Sequence, residues 1–231
     1  MKKLTALAAL ICTLSLTVCD ADAAKPKAKE AAPMTEEQKT LYALGMLMSN
    51  SLSTFDLKPE ELAQVQKGLA DGVGGVKGTL NAEEYIPKVQ ELQRTRMAAV
   101  SAKAAAAGVA FLDKASQEPG VTKTTSGMLI KHAKPGTGAA PAATDQVKVH
   151  YEGRLIDGKV FDSSLARGEP ATFPLNGVIA CWTEGVQSMK VGGKAQLTCP
   201  ASLAYGANGS PPTIPPESTL VFDVELLDIV K

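Results

Sequence analysis

The feature that most constrains this chain is a change of texture at Pro119-Gly120. Before it, residues 82–116 are dominated by Ala, Glu, Gln, Lys and Arg, all strong helix formers. After it, Val147, Val149 and Tyr151 alternate with Lys148 and His150. Near the end, Leu220, Phe222, Val224 and Leu226 alternate with Val221, Asp223 and Glu225. Period two marks a strand with one buried face, because successive side chains leave opposite sides of the backbone. Asp157-Gly158 is a turn signal between the strands around Tyr151 and Phe161, and residues 183–189 form one short helical stretch. Residues 119–231 therefore read as α+β, an antiparallel sheet with one helix across it.

The first half reads as all-α. Thr35 and Gln38 have the spacing of a capping box, and Leu41, Leu44, Met48 and Leu52 follow at helical intervals. Pro59 opens a second helix, with Leu62, Val65 and Leu69 on one face and the glycines at 72, 74 and 75 as its stop. Asn81 and Glu84 could cap a long third helix, whose first turn Pro87 would bend or restart. Its apolar stripe, Ile86, Val89 and Leu92 with Met97 and Val100, is narrow, and residues 102–107 are nearly all alanine. Two short helices make too small a core alone, since small domains bury a low fraction of their surface. The expectation is a helical dimerisation region at 35–80, packing against a second copy of the chain, and a long linking helix at 81–118.

Residues 1–23 have the layout of a secretory signal peptide: Lys2 and Lys3, a short apolar run from Leu4 to Val18, then Ala21-Asp22-Ala23. Cys19 also sits where a lipoprotein cysteine would, although Val18 before it is bulky for that purpose, so cleavage after Ala23 and a periplasmic protein is the favoured reading. Residues 24–34, rich in Ala, Lys and Pro, read as a disordered lead-in. Cleavage leaves Cys181 and Cys199 as the mature cysteines. In an oxidising compartment they invite a disulfide, with two buried free thiols as the alternative.

Several chemistries find no support. Lys plus Arg and Asp plus Glu are both 24, which argues against a general nucleic-acid binder. Neither histidine, His132 or His150, has metal-ligand spacing, so no metal or other cofactor is expected. No nucleophile elbow, phosphate loop or dinucleotide fingerprint occurs, and no nucleophile has a partnered base.

What the C-terminal half offers instead is apolar residues beside turns. Val149-His150-Tyr151-Glu152-Gly153 leads into Lys159-Val160-Phe161-Asp162-Ser163-Ser164, then Val178-Ile179-Ala180-Cys181-Trp182, Ala204-Tyr205-Gly206, Ile214-Pro215-Pro216 and Thr219-Leu220-Val221-Phe222-Asp223-Val224. In order and spacing, from Ser126 to Lys231, these closely resemble the FK506-binding (FKBP) family of peptidyl-prolyl cis–trans isomerases. The helical first half resembles, in architecture more than in residues, the dimeric bacterial branch that holds the macrophage infectivity potentiators and FkpA-type proteins.

The resemblance implies a half-open sheet wrapped on one short helix, with a pocket for a proline ring at 119–231. Carried over by motif, Trp182 forms the floor, Tyr151, Phe161, Phe173 and Phe222 the walls, and Val178 and Ile179 the rim. Ile179 also offers its backbone N–H to a substrate carbonyl. Tyr205 and Ile214 belong to an overhanging loop, Asp162 is the polar edge, and Arg167 holds the Asp162 carboxylate. Proline-containing unfolded polypeptides become the expected partners, and macrocycles such as FK506 candidate inhibitors. Cys181 replaces a Gly common in the family and Cys199 a core aliphatic residue, and both approach the floor helix in the family's fold, which supports a bridge between them.

This activity fits the missing nucleophile. Rotation about an X–Pro bond breaks amide resonance but needs no covalent catalysis, only tighter binding of the twisted amide than of either planar form. The alternative is a dimeric holdase whose pockets mainly bind unfolded clients.

Overall fold

The computed structural model describes residues 33–76 and 80–230. The signal peptide and most of the lead-in expected from the sequence lie outside these residues. The chain divides into two units, residues 1–40 and 41–231. In the first, the Thr35 N–H donates to Gln38 Oε1 at 2.9 Å and the Gln38 N–H donates to Thr35 Oγ1 at 3.2 Å, a reciprocal cap. Glu36 and Glu37 then open helix α1 (Glu36–Ser49), where negative charge suits the helix dipole.

In the second unit a 3₁₀ turn, Asn50–Phe55, leads to α2 (Pro59–Val73). Pro87 stands in the first turn of α3 (Ile86–Ser116), where its missing N–H costs no helix bond, and a separate 3₁₀ turn, Ala82–Tyr85, precedes it. Arg96 of α3 grips Glu61 of α2 with two hydrogen bonds of 2.6 and 2.8 Å and donates to the Phe55 carbonyl at 3.0 Å. The Arg96 hydrogen bonds, followed by the Lys58 backbone N–H, lower the Glu61 carboxyl to about 2. Gln93 adds a bond to Thr54 at 2.8 Å. Neither α1 nor α2 buries a single residue.

Helix α3 is anchored through a small residue. Of its expected apolar stripe, Ile86, Val89 and Leu92 are exposed and Met97 and Val100 are half-buried, and the one residue it buries fully is Gly108. A Cβ there would overlap Thr219 Oγ1 and lie 3.2 Å from Thr219 Cβ, so the helix backbone rests directly on the start of the last strand. A stripe of large apolar residues is what periodicity detects. Close backbone approach needs the opposite, a missing side chain.

The sheet has seven antiparallel strands: β1 (Val121–Lys123), β2 (Leu129–Lys134), β3 (Gln146–Leu155), β4 (Val160–Ser163), β5 (Ala171–Pro174), β6 (Lys194–Cys199) and β7 (Leu220–Val230). Their order is β1-β2-β6-β7-β3-β4, with β5 also on β3. β3 and β7 pair along ten positions, Gln146 with Val230 through Leu155 with Leu220, and form the spine. The alternation seen in the sequence turns Val147, Val149, Tyr151, Leu220, Phe222, Val224 and Leu226 into one core. A one-turn helix, α4 (Ser164–Arg167), follows β4 and closes on Gly168 at φ 78°, a left-handed conformation that favours glycine.

The helix across the sheet is α5 (Ala180–Gln187), which starts three residues before the helical stretch expected at Thr183. Its first turn is set by the Trp182 N–H donating to the Ile179 carbonyl at 2.9 Å, and the Thr183 hydroxyl donates to the Leu175 carbonyl at 2.6 Å. On the face turned to β6, Cys181 is disulfide-bonded to Cys199 with their Cα atoms 5.7 Å apart. One turn later Gly185 lies against Leu197, where a Cβ would come within 2.7 Å of both its methyl groups.

Candidate active site

One edge of β3 is shared. Gln146 to Val149 pair with β5, and Glu152 to Arg154 pair with β4, so the edge forks at His150 and Tyr151. The Tyr151 side chain enters the concave face at this fork and meets two others edge-on. Its ring centroid is 5.1 Å from that of Trp182 and 5.8 Å from that of Phe173. Trp182 touches Phe173 at 5.7 Å and Phe222 at 5.4 Å, and Phe222 touches Phe161 at 5.6 Å, with interplanar angles of 84–89°. Edge-to-face contacts of this kind set positive ring edges against negative faces.

These five rings, from β3, β4, β5, α5 and β7, surround a cavity of about 310 Å³ completed by Gly177, Val178, Ile179, Tyr205 and Asp162. Trp182 is buried, and its indole Nε1 is the one buried side-chain polar atom without a hydrogen-bond partner among the described residues. An unpaired buried donor costs stability, so this feature does not strengthen the core.

The polar edge is built from three groups. The Tyr151 hydroxyl donates to Asp162 Oδ2, and Arg167 donates to Asp162 Oδ1 and, at 3.0 Å, to the Tyr151 hydroxyl oxygen. Burial alone pushes the Asp162 carboxyl up, but the Tyr151 hydroxyl and the Arg167 guanidinium outweigh it and hold the carboxyl below its usual range. Burial, then the Asp162 hydrogen bond, raises the Tyr151 hydroxyl. The Tyr151 and Asp162 hydrogen bonds raise Arg167. Asp162 is therefore an ionised carboxylate with both oxygens engaged, a poor proton donor but a fixed negative edge.

The cavity thus brings together Tyr151, Phe161, Asp162, Phe173, Val178, Ile179, Trp182, Tyr205 and Phe222, with Arg167 behind the edge. Ile214, expected to line the pocket, is not among the lining residues. Paired backbone bonds of 2.8 and 2.9 Å between Ser210 and Ile214 close a tight loop, and the Ile214 side chain is buried in the core. It borders a separate crevice shared with Met97, Val100 and Pro215. Among the described residues no cluster suited to a metal ion occurs.

Comparison with known proteins agrees with this geometry. Residues 138–227 match the model of the FKBP-type peptidyl-prolyl cis-trans isomerase family, and residues 37–131 match that of the domain amino terminal to it. The chain belongs to the FKBP-type peptidyl-prolyl cis–trans isomerases. It is 43% identical over 206 residues to the FKBP-type 22 kDa peptidyl-prolyl cis-trans isomerase of Escherichia coli K12, covering 85% of this chain and 97% of that protein. Identity to the outer membrane protein MIP of Legionella longbeachae is 36% over 206 residues, 85% of this chain and 87% of that one. The crystal structure of FkpA from Escherichia coli matches with a TM-score of 0.65 and 39% identity, covering 86% of this chain and 98% of that chain. The chain is accordingly an enzyme that interconverts the cis and trans forms of X–Pro bonds, as its motifs imply.

Within this FKBP-type isomerase, two glycines matter that sequence reasoning did not single out as site residues. Gly177 lines the cavity directly. Gly153 stands beneath two of its walls, Phe161 and Phe222, within contact distance of any added Cβ. Glycine's usual signal is a turn, and Gly153 lies inside a strand, where a missing side chain marks close approach.

Proposed function

We propose that the aromatic cavity is the isomerase site and that each side chain has a defined part in it. The proline ring rests on Trp182 between Tyr151, Phe173 and Phe222, with Phe161 closing one wall. Val178 and Ile179 form the rim, and the Ile179 N–H receives a substrate carbonyl. Tyr205 overhangs the ring, and Asp162, held by Arg167, faces the rotating amide. The observation that carries this reading is the box of edge-to-face rings around an open cavity of about 310 Å³ with a single charged edge. Twisting the amide reduces charge separation across its C–O and C–N bonds, so a dry apolar site favours the twisted form relative to water.

The same reading covers the rest of the chain. Residues 1–23 direct export, and the enzyme acts on proline-containing polypeptides folding in the periplasm. A relative named as an outer membrane protein supports an exported role. The helical region at 35–80 joins two copies. Supporting this, α1 exposes Leu41, Leu44 and Leu47, at 60%, 53% and 68%, together with Tyr42 and Met46. Large apolar side chains left exposed in this number on one helix mark an interaction surface.

The test is X–Pro turnover of a short peptide by the mature protein, with and without FK506. Inhibitable turnover that drops in Phe161→Ala and Asp162→Ala supports the assignment. Turnover unchanged in both variants would remove the cavity from the mechanism.

A further inference from the structure

The fork in the sheet at Tyr151 creates a local problem. β5 pairs with β3 as far as Val149 and β4 begins pairing at Glu152, so neither strand reaches the Tyr151 backbone on that edge. A buried N–H or C=O left bare there would lose its water partners and gain none in return. Ser164 fills the gap. Its hydroxyl oxygen accepts the Tyr151 N–H at 2.8 Å and its proton goes to the Tyr151 carbonyl at 3.2 Å, so one side chain substitutes for a missing strand residue. His150 Nδ1 lies 3.0 Å from the same oxygen. All three bonds converge on a side chain with no solvent exposure.

The second half of the relationship is at the other end of the same helix turn. α4 begins at Ser164 and ends at Arg167, and Arg167 reaches the Tyr151 hydroxyl at 3.0 Å and the Asp162 carboxylate. Ser163, just before it, caps the turn by accepting the Ala166 N–H at 3.2 Å. One turn of helix therefore holds Tyr151 twice, by its backbone through Ser164 and by its hydroxyl through Arg167. A shift at Ser164 moves the origin of the Tyr151 side chain and alters the alignment of its hydroxyl with Asp162.

We infer that Ser164 is a positioning residue for the isomerase, setting the Tyr151 hydroxyl and through it the charged edge of the pocket. The inference rests on the reading that the Tyr151–Asp162 edge faces the substrate. It goes further in assigning a role to a side chain that never meets the cavity.

The experiment is a double-mutant cycle in kcat/KM on the full mature chain, using wild type, Ser164→Ala, Tyr151→Phe and the pair. Loss of the clamp in Ser164→Ala should lower kcat/KM roughly tenfold. In the Tyr151→Phe background, with no hydroxyl left to position, the same change should cost less than about twofold. A general loosening of the fold would lower activity equally in both backgrounds, and that result would overturn the inference, as would full activity in Ser164→Ala. Ser164→Cys, similar in size but a weak hydrogen-bonding partner, serves where the alanine variant fails to fold, with the same expectation. Tyr151→Phe alone tests the underlying reading: wild-type kcat/KM there would remove the Tyr151 edge from the site. A loss in Tyr151→Phe with strictly multiplicative effects in the pair would overturn only the role of Ser164.

Discussion

Gly153 and Phe161 meet where a side chain would not fit. A Cβ on Gly153 would lie 2.7 Å from Phe161 Cζ and 2.8 Å from Phe222 Cε1. Strand β3 thus passes beneath the contact between the two rings, whose centroids are 5.6 Å apart. The wall of the cavity is shaped by what the strand lacks.

Gly153→Ala should therefore damage function more than stability. Overpacking costs about 1–3 kcal/mol, offset in part by the roughly 0.5–1 kcal/mol that replacing glycine recovers in chain entropy. The ring tips are what must yield, and they are the pocket wall. The expected result is a loss of about tenfold in kcat/KM with only a small drop in the urea midpoint. Wild-type kcat/KM from this variant would mean that the wall tolerates displacement.

The Cys181–Cys199 bridge ties the first turn of α5 to the end of β6, one residue before Trp182, which lines the cavity. Closing a loop of sequence separation 18 restricts the unfolded chain by about 3 kcal/mol. Reduced protein should unfold at a correspondingly lower urea concentration than oxidised protein, and the lone Trp182 provides a fluorescence signal beside the bond. Both cysteines are fully buried, so reduction of the folded enzyme should be slow. Identical midpoints with and without reductant would show that the bridge does not constrain folding.

Acid should weaken the helical region through Glu61. Its carboxyl is lowered from 4.5 to about 2 in the folded chain by Arg96 and then by the Lys58 N–H. The unfolded chain therefore binds the proton first as pH falls. The stabilising contribution is complete above about 4.5 and is lost progressively as pH falls towards about 2. Asp162 is shifted in the same direction, so it adds to the trend. Thermal midpoints followed by helical circular dichroism should fall between pH 5 and 3 in wild type. Glu61→Gln should flatten that fall without abolishing it, and parallel curves for the two proteins would contradict the assignment.

Much of this fold was readable because its signals are local. The reciprocal cap of Thr35 and Gln38, Pro59 at the head of α2 and the alternations of β3 and β7 each depend on neighbours along the chain. The aromatic residues of the cavity are recognisable together through the resemblance of several motifs to the FKBP family, although any one of them alone would read as core. What was not legible depends on partners distant in sequence. The contact of Ser164 arises because β4 and β5 leave a gap thirteen residues away at Tyr151, and nothing near Ser164 announces that gap. Ile214 has the residue type of a pocket wall, but its side chain direction is decided by the pairing of its backbone with Ser210. The sequence pattern starts α5 late because its first turn is held by the Ile179 carbonyl, which accepts the Trp182 and Thr183 N–H groups, and by the Cys181–Cys199 disulfide, rather than by a recognisable cap.

Gly108 gives the sharpest test of how α3 is held, because two accounts predict opposite signs. On a solvated helix, replacing glycine by alanine stabilises by about 0.8–1.0 kcal/mol through helix propensity. Gly68 in α2 is such a position, with nothing within 4 Å of a new Cβ, so Gly68→Ala should raise the thermal midpoint. At Gly108 the new Cβ falls on Thr219 Oγ1, and Thr219 is buried at the start of β7 with little room to retreat. Gly108→Ala should therefore lower the midpoint, the overpacking penalty of about 1–3 kcal/mol exceeding the propensity gain. Thr219→Ala removes the obstructing oxygen, and in that background Gly108→Ala should become neutral or stabilising. A rise in midpoint from Gly108→Ala alone, matching that at Gly68, would show that α3 stands free of the sheet in solution.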